Sequence, residues 1–166
     1  METQLEKNKT VVKRFNLEVI EQGNLDSFKE LMDDQFINHT APEGSDNGPG
    51  GMIYTFNQVL RPAFPDMKIT IYDQIAEGDL VTTRKTITGT HNGPFMGMPA
   101  TGKKVTIQVI DIVKVVDGKY YEHWGINTLS TVLTQLATDY VIKQPVITHP
   151  ETESIISNLF DKNSKI

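Results

Sequence analysis

Apolar positions along this chain follow two different rhythms. Over residues 2–22, Leu5, Val12, Phe15 and Val19 recur at helical spacing, and Val11 and Ile20 widen the stripe. That spacing predicts a helix with one face against a core. Gly23 supplies a helix stop, and Asn24 can cap a second short helix carrying Leu25, Phe28, Leu31 and Met32. Residues 36–40 look extended and lead into a loop over 41–51 rich in Gly, Pro, Asp and Asn. A third helix places Ile53, Phe56, Leu60 and Phe64 on one face and ends at Pro65 and Asp66.

From residue 67 the period changes to two. Strands are expected over 67–72, 80–91, 103–116 and 120–128, with hairpin turns at Glu77-Gly78-Asp79 and Asp117-Gly118. The connection over 91–102 is too long for a tight turn. Its Phe95, Met96 and Met98 suit an apolar lid at the rim of a pocket, or a contact with a partner subunit. Leu129, Val132, Leu133 and Leu136 suggest a closing helical turn or two, and Ile155, Ile156, Leu159 and Phe160 a short amphipathic helix in the tail. Helices first and hairpin-connected strands afterwards make an α+β fold, with helices gathered on one face of a curved antiparallel sheet.

The last strand is the unusual one. Tyr121, His123, Gly125 and Asn127 share one face and Glu122, Trp124 and Ile126 the other. An aromatic, an imidazole, an empty position and an amide in register suggest the wall of a ligand cavity. Gly125 leaves a gap in that wall where a flat ligand could lie, or marks a bulge or close approach. His123 can act as a base near neutral pH, or simply hydrogen-bond within the pocket. His91 falls at a strand end and is read as facing the cavity mouth or solvent. One of Asn38 and His39 is expected to line the pocket.

Composition narrows the chemistry. The net charge of −5, with no Lys/Arg-rich run, argues against a nucleic-acid partner. The chain has no cysteine, so disulfides and thiolate chemistry are excluded. No apolar run is long enough to span a bilayer and residues 1–8 hold no signal-peptide core, so a cytoplasmic protein is expected. The histidines lack close ligand spacing, so no metal is assigned. The glycines at 48–51 lack the Lys and Ser/Thr of a phosphate loop, and no Gly-x-Ser-x-Gly elbow is present.

Several motifs occur together: Gly23-Asn24-Leu25-Asp26, Phe36-x-Asn38-His39, Ala63-Phe64-Pro65-Asp66, Ala76-Glu77-Gly78-Asp79, Gly89-Thr90-His91, Pro99-x-Thr101-Gly102-Lys103, and Asp117-Gly118-Lys119 before Glu122-His123-Trp124. In this order the chain resembles the SnoaL-like polyketide (ester) cyclases of the nuclear-transport-factor-2-like superfamily, over residues 9–137. The resemblance implies a domain over 1–137, with 138–166 as an extension: a curved antiparallel sheet wrapped around three helices, forming a cone with an internal pocket. It also implies a homodimer or higher homo-oligomer and metal-free acid–base ring closure without a cofactor. The family's general acid/base Asp corresponds, on this reading, to Asn127. A carboxamide cannot accept the proton that a carboxylate can, so the base has to be sought elsewhere.

Candidate catalytic residues are therefore His123 and His91. Asn127, Asn38, His39, Tyr121, Gly125, Phe95 and Met96 are the candidate contacts to a small apolar ligand, polyketide-like, aromatic or steroid-like. The alternative is a binding or carrier domain that keeps the pocket without the chemistry.

Overall fold

The computed structural model describes residues 2–143, with side chains through Asp139. Helix α1 (Gln4–Arg14) starts at Thr3, whose side chain accepts the Glu6 amide, and runs on as a π-wound turn over Phe15–Glu21. There Gln22 N–H reaches back to the Leu17 carbonyl at 3.1 Å. Arg61 closes this end by donating to the carbonyls of Val19, Ile20 and Glu21, while Gly23 (φ +73°) turns the chain. Asn24 then caps α2 (Leu25–Leu31) as expected, accepting from Asp26 and Ser27. The third helical stretch is α3 (Pro49–Tyr54), a π-wound segment Thr55–Leu60 and a last turn α4 (Arg61–Ala63).

Five strands follow the order β1-β5-β4-β3-β2. They are β1 (Met32–Asn38), β2 (Lys68–Glu77), β3 (Leu80–Thr90), β4 (Lys104–Val116) and β5 (Lys119–Asn127). Neighbours pair antiparallel except β1, which lies parallel to β5. The sheet is thus mixed at one edge, a small departure from the all-antiparallel expectation. Helix α1 crosses the inner face, touching β2, β3, β4 and β5, and Phe15, at the start of the π-wound turn that continues it, stacks on Tyr120 at 4.0 Å between ring centres. Val12, Phe15, Val19, Phe36, Phe64, Val81 and Val113 form the centre of the core.

Chain ends differ more from expectation. Helix α5 (Leu129–Lys143) is longer than a turn or two and runs without a break past residue 138. The short helix expected around residues 155–160 lies outside the described residues. Among the described residues no helix is long and apolar enough to cross a membrane. The outer sheet face exposes Ile110, Ile112 and Ile126 beside a half-buried Trp124.

Candidate functional site

Strand pairing determines which side chains meet inside. Asp111 lies opposite Gly125, Val113 opposite His123, and Thr83 opposite Asp111. Lys85 is two residues along β3 from Thr83 and so on the same inner face. Among the buried Val81, Ile87 and Val113, this places a buried lysine and a buried aspartate. Charges removed from water must be paired to persist. Lys85 Nζ donates to Asp111 Oδ2 at 2.6 Å and to Asn16 Oδ1 at 2.5 Å. Asn16, in the π-wound turn of the first helix, is itself anchored by donating to the Val12 carbonyl at 2.9 Å. The other carboxylate oxygen, Asp111 Oδ1, has no hydrogen-bond partner among the described residues. Burial pushes the Asp111 carboxyl up, but the Lys85 ammonium and His123 together outweigh it and hold the group below the usual carboxylate range.

His123 approaches the same point from β5. Its Nδ1 lies 2.9 Å from Asn38 Oδ1, and its Nε2 lies 3.8 Å from Asp111 Oδ2. The tautomer follows from the neighbours. Thr40 donates both its backbone N–H and its hydroxyl to Asn38 Oδ1, at 3.1 and 3.0 Å. That oxygen is therefore an acceptor, so His123 Nδ1 carries the hydrogen toward it. Nε2 of the neutral ring is left bare, 3.8 Å from a carboxylate and too distant for a hydrogen bond. In the line Asn38–His123–Asp111–Lys85–Asn16 the last three are buried, while Asn38 and His123, whose side chain is 17% exposed, are partly accessible.

Gly125 has a different use from the expected ligand gap. A Cβ there would stand 2.9 Å from His123 Cε1 and 3.1 Å from Nε2. The space is taken by the imidazole of its own strand, which lies across the glycine toward Asp111. Asn127 also departs from expectation. It is exposed at the strand end, where its side-chain oxygen accepts the Leu129 amide at 2.9 Å and leads the chain into α5.

Other candidates separate in space. Asn38 joins His123, whereas His39 goes to the outer face, stacked on Trp124 at 4.6 Å and bonded to Glu122 at 2.7 Å. Tyr121 does not share the His123 face. A register shift between Lys114 and Val115 sends Tyr120 into the core and leaves Tyr121 beside Lys114 and Gln35. His91 is fully buried, not at a mouth: Nδ1 meets Thr101 Oγ1 at 3.0 Å, Nε2 has no partner among the described residues, and Phe64 and Phe95 pack around the ring. It lies six residues along the strand from Lys85, about 20 Å away. Phe95 is a core residue locked edge-on to Phe64, while Met96 is 71% exposed at the loop tip. That loop is a plug seated on the end of the third helix, since Gly93 packs directly on the Pro62 carbonyl.

Asp111, Lys85 and Asn16 are the site residues that sequence reasoning missed. A signal existed: Lys85 and Asp111 each interrupt a period-two series of core positions, Val81-Thr83-Lys85-Ile87 and Val109-Asp111-Val113. The described residues contain no group of three or more His, Cys, Asp or Glu placed to hold a metal ion. Beyond this line, a cleft of about 210 Å³ opens between the start of β4 and α5, lined by Lys104, Thr106, Val132, Gln135 and others.

Two outcomes are expected from this geometry. In Gly125→Ala the new methyl meets the far end of a side chain, so stability changes by less than about 1 kcal/mol while the His123 ring resonances shift. Unchanged ring resonances would contradict the arrangement. Burial also holds the His91 imidazole below its ordinary value. The unfolded chain then binds that proton more readily. Stability is fully present above about pH 6.5 and is lost as pH falls from there toward the folded-state value. Urea midpoints of wild type should therefore drop further between pH 7.5 and 5.5 than those of His91→Gln.

Comparison with known proteins agrees with this architecture. The sequence model of the SnoaL-like polyketide cyclase family matches residues 10–136. Aklanonic acid methyl ester cyclase DnrD of Streptomyces peucetius is 24% identical over 125 residues, covering 74% of this chain and 83% of DnrD. IdmH, a candidate polyketide cyclase from Streptomyces antibioticus, superposes with a TM-score of 0.69 at 30% identity, covering 78% of this chain and 98% of IdmH. A candidate polyketide cyclase from Acidithiobacillus ferrooxidans gives 0.70 at 26% identity, covering 82% of this chain and 99% of its own. With the family's model spanning most of the sequence and the same fold recurring in these structures, the chain belongs to the SnoaL-like polyketide cyclase family.

Proposed function

We propose that this protein carries out cofactor-free and metal-free acid–base chemistry on a small apolar carbonyl compound of polyketide-like or other aromatic type, with His123 as the base. The observation that carries the proposal is the fixed tautomer of His123. Its Nδ1–H is committed to Asn38, leaving Nε2 bare and partly accessible. A neutral imidazole with a bare ring nitrogen can accept a proton from the carbon next to a carbonyl. In a cyclase reaction, Nε2 takes a proton from the carbon beside a carbonyl. The enolate carbon then forms a bond to a second carbonyl carbon of the same molecule, and the resulting alkoxide takes the proton back from the imidazolium. Nothing is consumed. The ester substrate in the name of DnrD indicates the compound class to try first. The exposed apolar outer face around Ile110, Ile112 and Ile126 supports pairing of the chain with a second copy.

Asn127 stands outside this scheme, because its side chain is engaged in the turn into α5. A binding or carrier role is the second reading, favoured by the carboxamide standing where the family resemblance implies an acid. Turnover of an aromatic polyketide methyl ester separates the two. The expected result is an activity that His123→Gln lowers by about 10²–10⁴-fold and that Asn127→Asp leaves near wild type. Thermal stabilisation by the ester without turnover would establish the carrier reading instead.

A further inference from the structure

We infer that Asp111 is a positioning residue of this site. Its carboxylate, held by Lys85 and Asn16, receives the imidazolium of His123 once Nε2 has taken a proton. The inference rests on the reading of His123 as the base.

Three independent features of the geometry converge on this role. First, Asp111 and Gly125 are register partners, and Gly125 is the position whose missing side chain lets the imidazole lie toward the carboxylate. A side chain at 125 would meet the ring at 2.9 Å and Asp111 Cβ at 3.5 Å. Secondly, the carboxylate cannot rotate freely, because Lys85 bonds Oδ2 from β3 and Lys85 is itself fixed by Asn16. Thirdly, Oδ1 is buried and has no hydrogen-bond partner among the described residues, so the carboxylate keeps unfilled acceptor capacity. The nitrogen facing the carboxylate is His123 Nε2, 3.8 Å from Oδ2.

A buried ion pair that served only the fold would need neither the glycine nor the histidine. Here they stand in one line, with the open interval between carboxylate and imidazole. Asp111 faces the ring from β4 and Asn38 from β1. Lys85 lies behind the carboxylate, and Glu122 and Lys114 are on the outer face. When the substrate proton moves to Nε2, its electron pair stays on the substrate as enolate. The imidazolium so formed stands 3.8 Å from the Asp111 carboxylate, whose negative charge stabilises it. The proton then returns to the product alkoxide.

The test is a pH titration of the His123 ring by NMR in three proteins: wild type, Asp111→Asn, and Lys85→Met/Asp111→Leu. The double variant replaces the ion pair by apolar side chains, so it avoids leaving one buried charge unpaired. The proton affinity of His123 is expected to fall about tenfold or more in both variants, with His39 on the outer face as an unmoved reference. A His123 titration that is the same in all three proteins, alongside lowered stability of Asp111→Asn, overturns the inference and leaves Asp111 as the structural partner of Lys85. No substrate is needed. An inactive wild type would therefore defeat the function proposed above while leaving this coupling intact, and an active enzyme with invariant His123 titration would defeat the coupling alone.

Discussion

Lys85 and Asp111 face each other in a layer otherwise made of valine and isoleucine, and much of the interior is arranged around keeping them paired. Two charges in such a place are stable only if nearly every hydrogen-bonding position is filled. Asn16 serves the lysine, and the first helix widens into a π-wound turn over the stretch that includes it. Such turns often mark functional positions. His123 serves the other end, across the gap that Gly125 leaves open. The pair thus ties the first helix and three strands to a single point, and the one partly exposed member at that point is the histidine.

The two faces of the sheet divide the remaining polar chemistry. Inside, the line from Asn38 to Asn16 runs from half-buried to fully buried, and its charges are neutralised by its own members. Outside, an exposed His39 and the half-buried Glu122 and Lys114 form a cluster beside Trp124. The register shift between Lys114 and Val115 lets Tyr120 fill the core against Phe15 while His123, three residues later, also faces inward. Without it, period-two alternation could not place both residues on the same side. The plug over 91–102 belongs to the scaffold, since Phe95 and His91 seal the end of the cone against Phe64.

The fold was largely legible because its signals are local. Helical spacing, the Asn24 cap, the Gly78 and Gly118 turns and the long β3 and β4 strands can each be read within a few residues. The importance of His123 was legible for the same reason: it stands where a plain core strand would carry an apolar residue. What escaped depends on contacts between distant segments. The facing of Tyr121 depends on a bulge created by β4. The use of Gly125 depends on where the His123 ring turns. The carboxylate of the site stands on β4, where Asp111 has meaning only beside Lys85 and Asn16. Asn127 drew attention as a family position, yet its surroundings make it part of a turn.

The central claim is that Asn38 fixes His123 in one tautomer with a bare Nε2 directed at Asp111. Nitrogen-15 NMR of the neutral ring measures this directly. A protonated Nδ1 and an unprotonated Nε2 are expected, with Asn38→Ala abolishing that preference. A neutral ring protonated at Nε2 in the wild-type protein would contradict it.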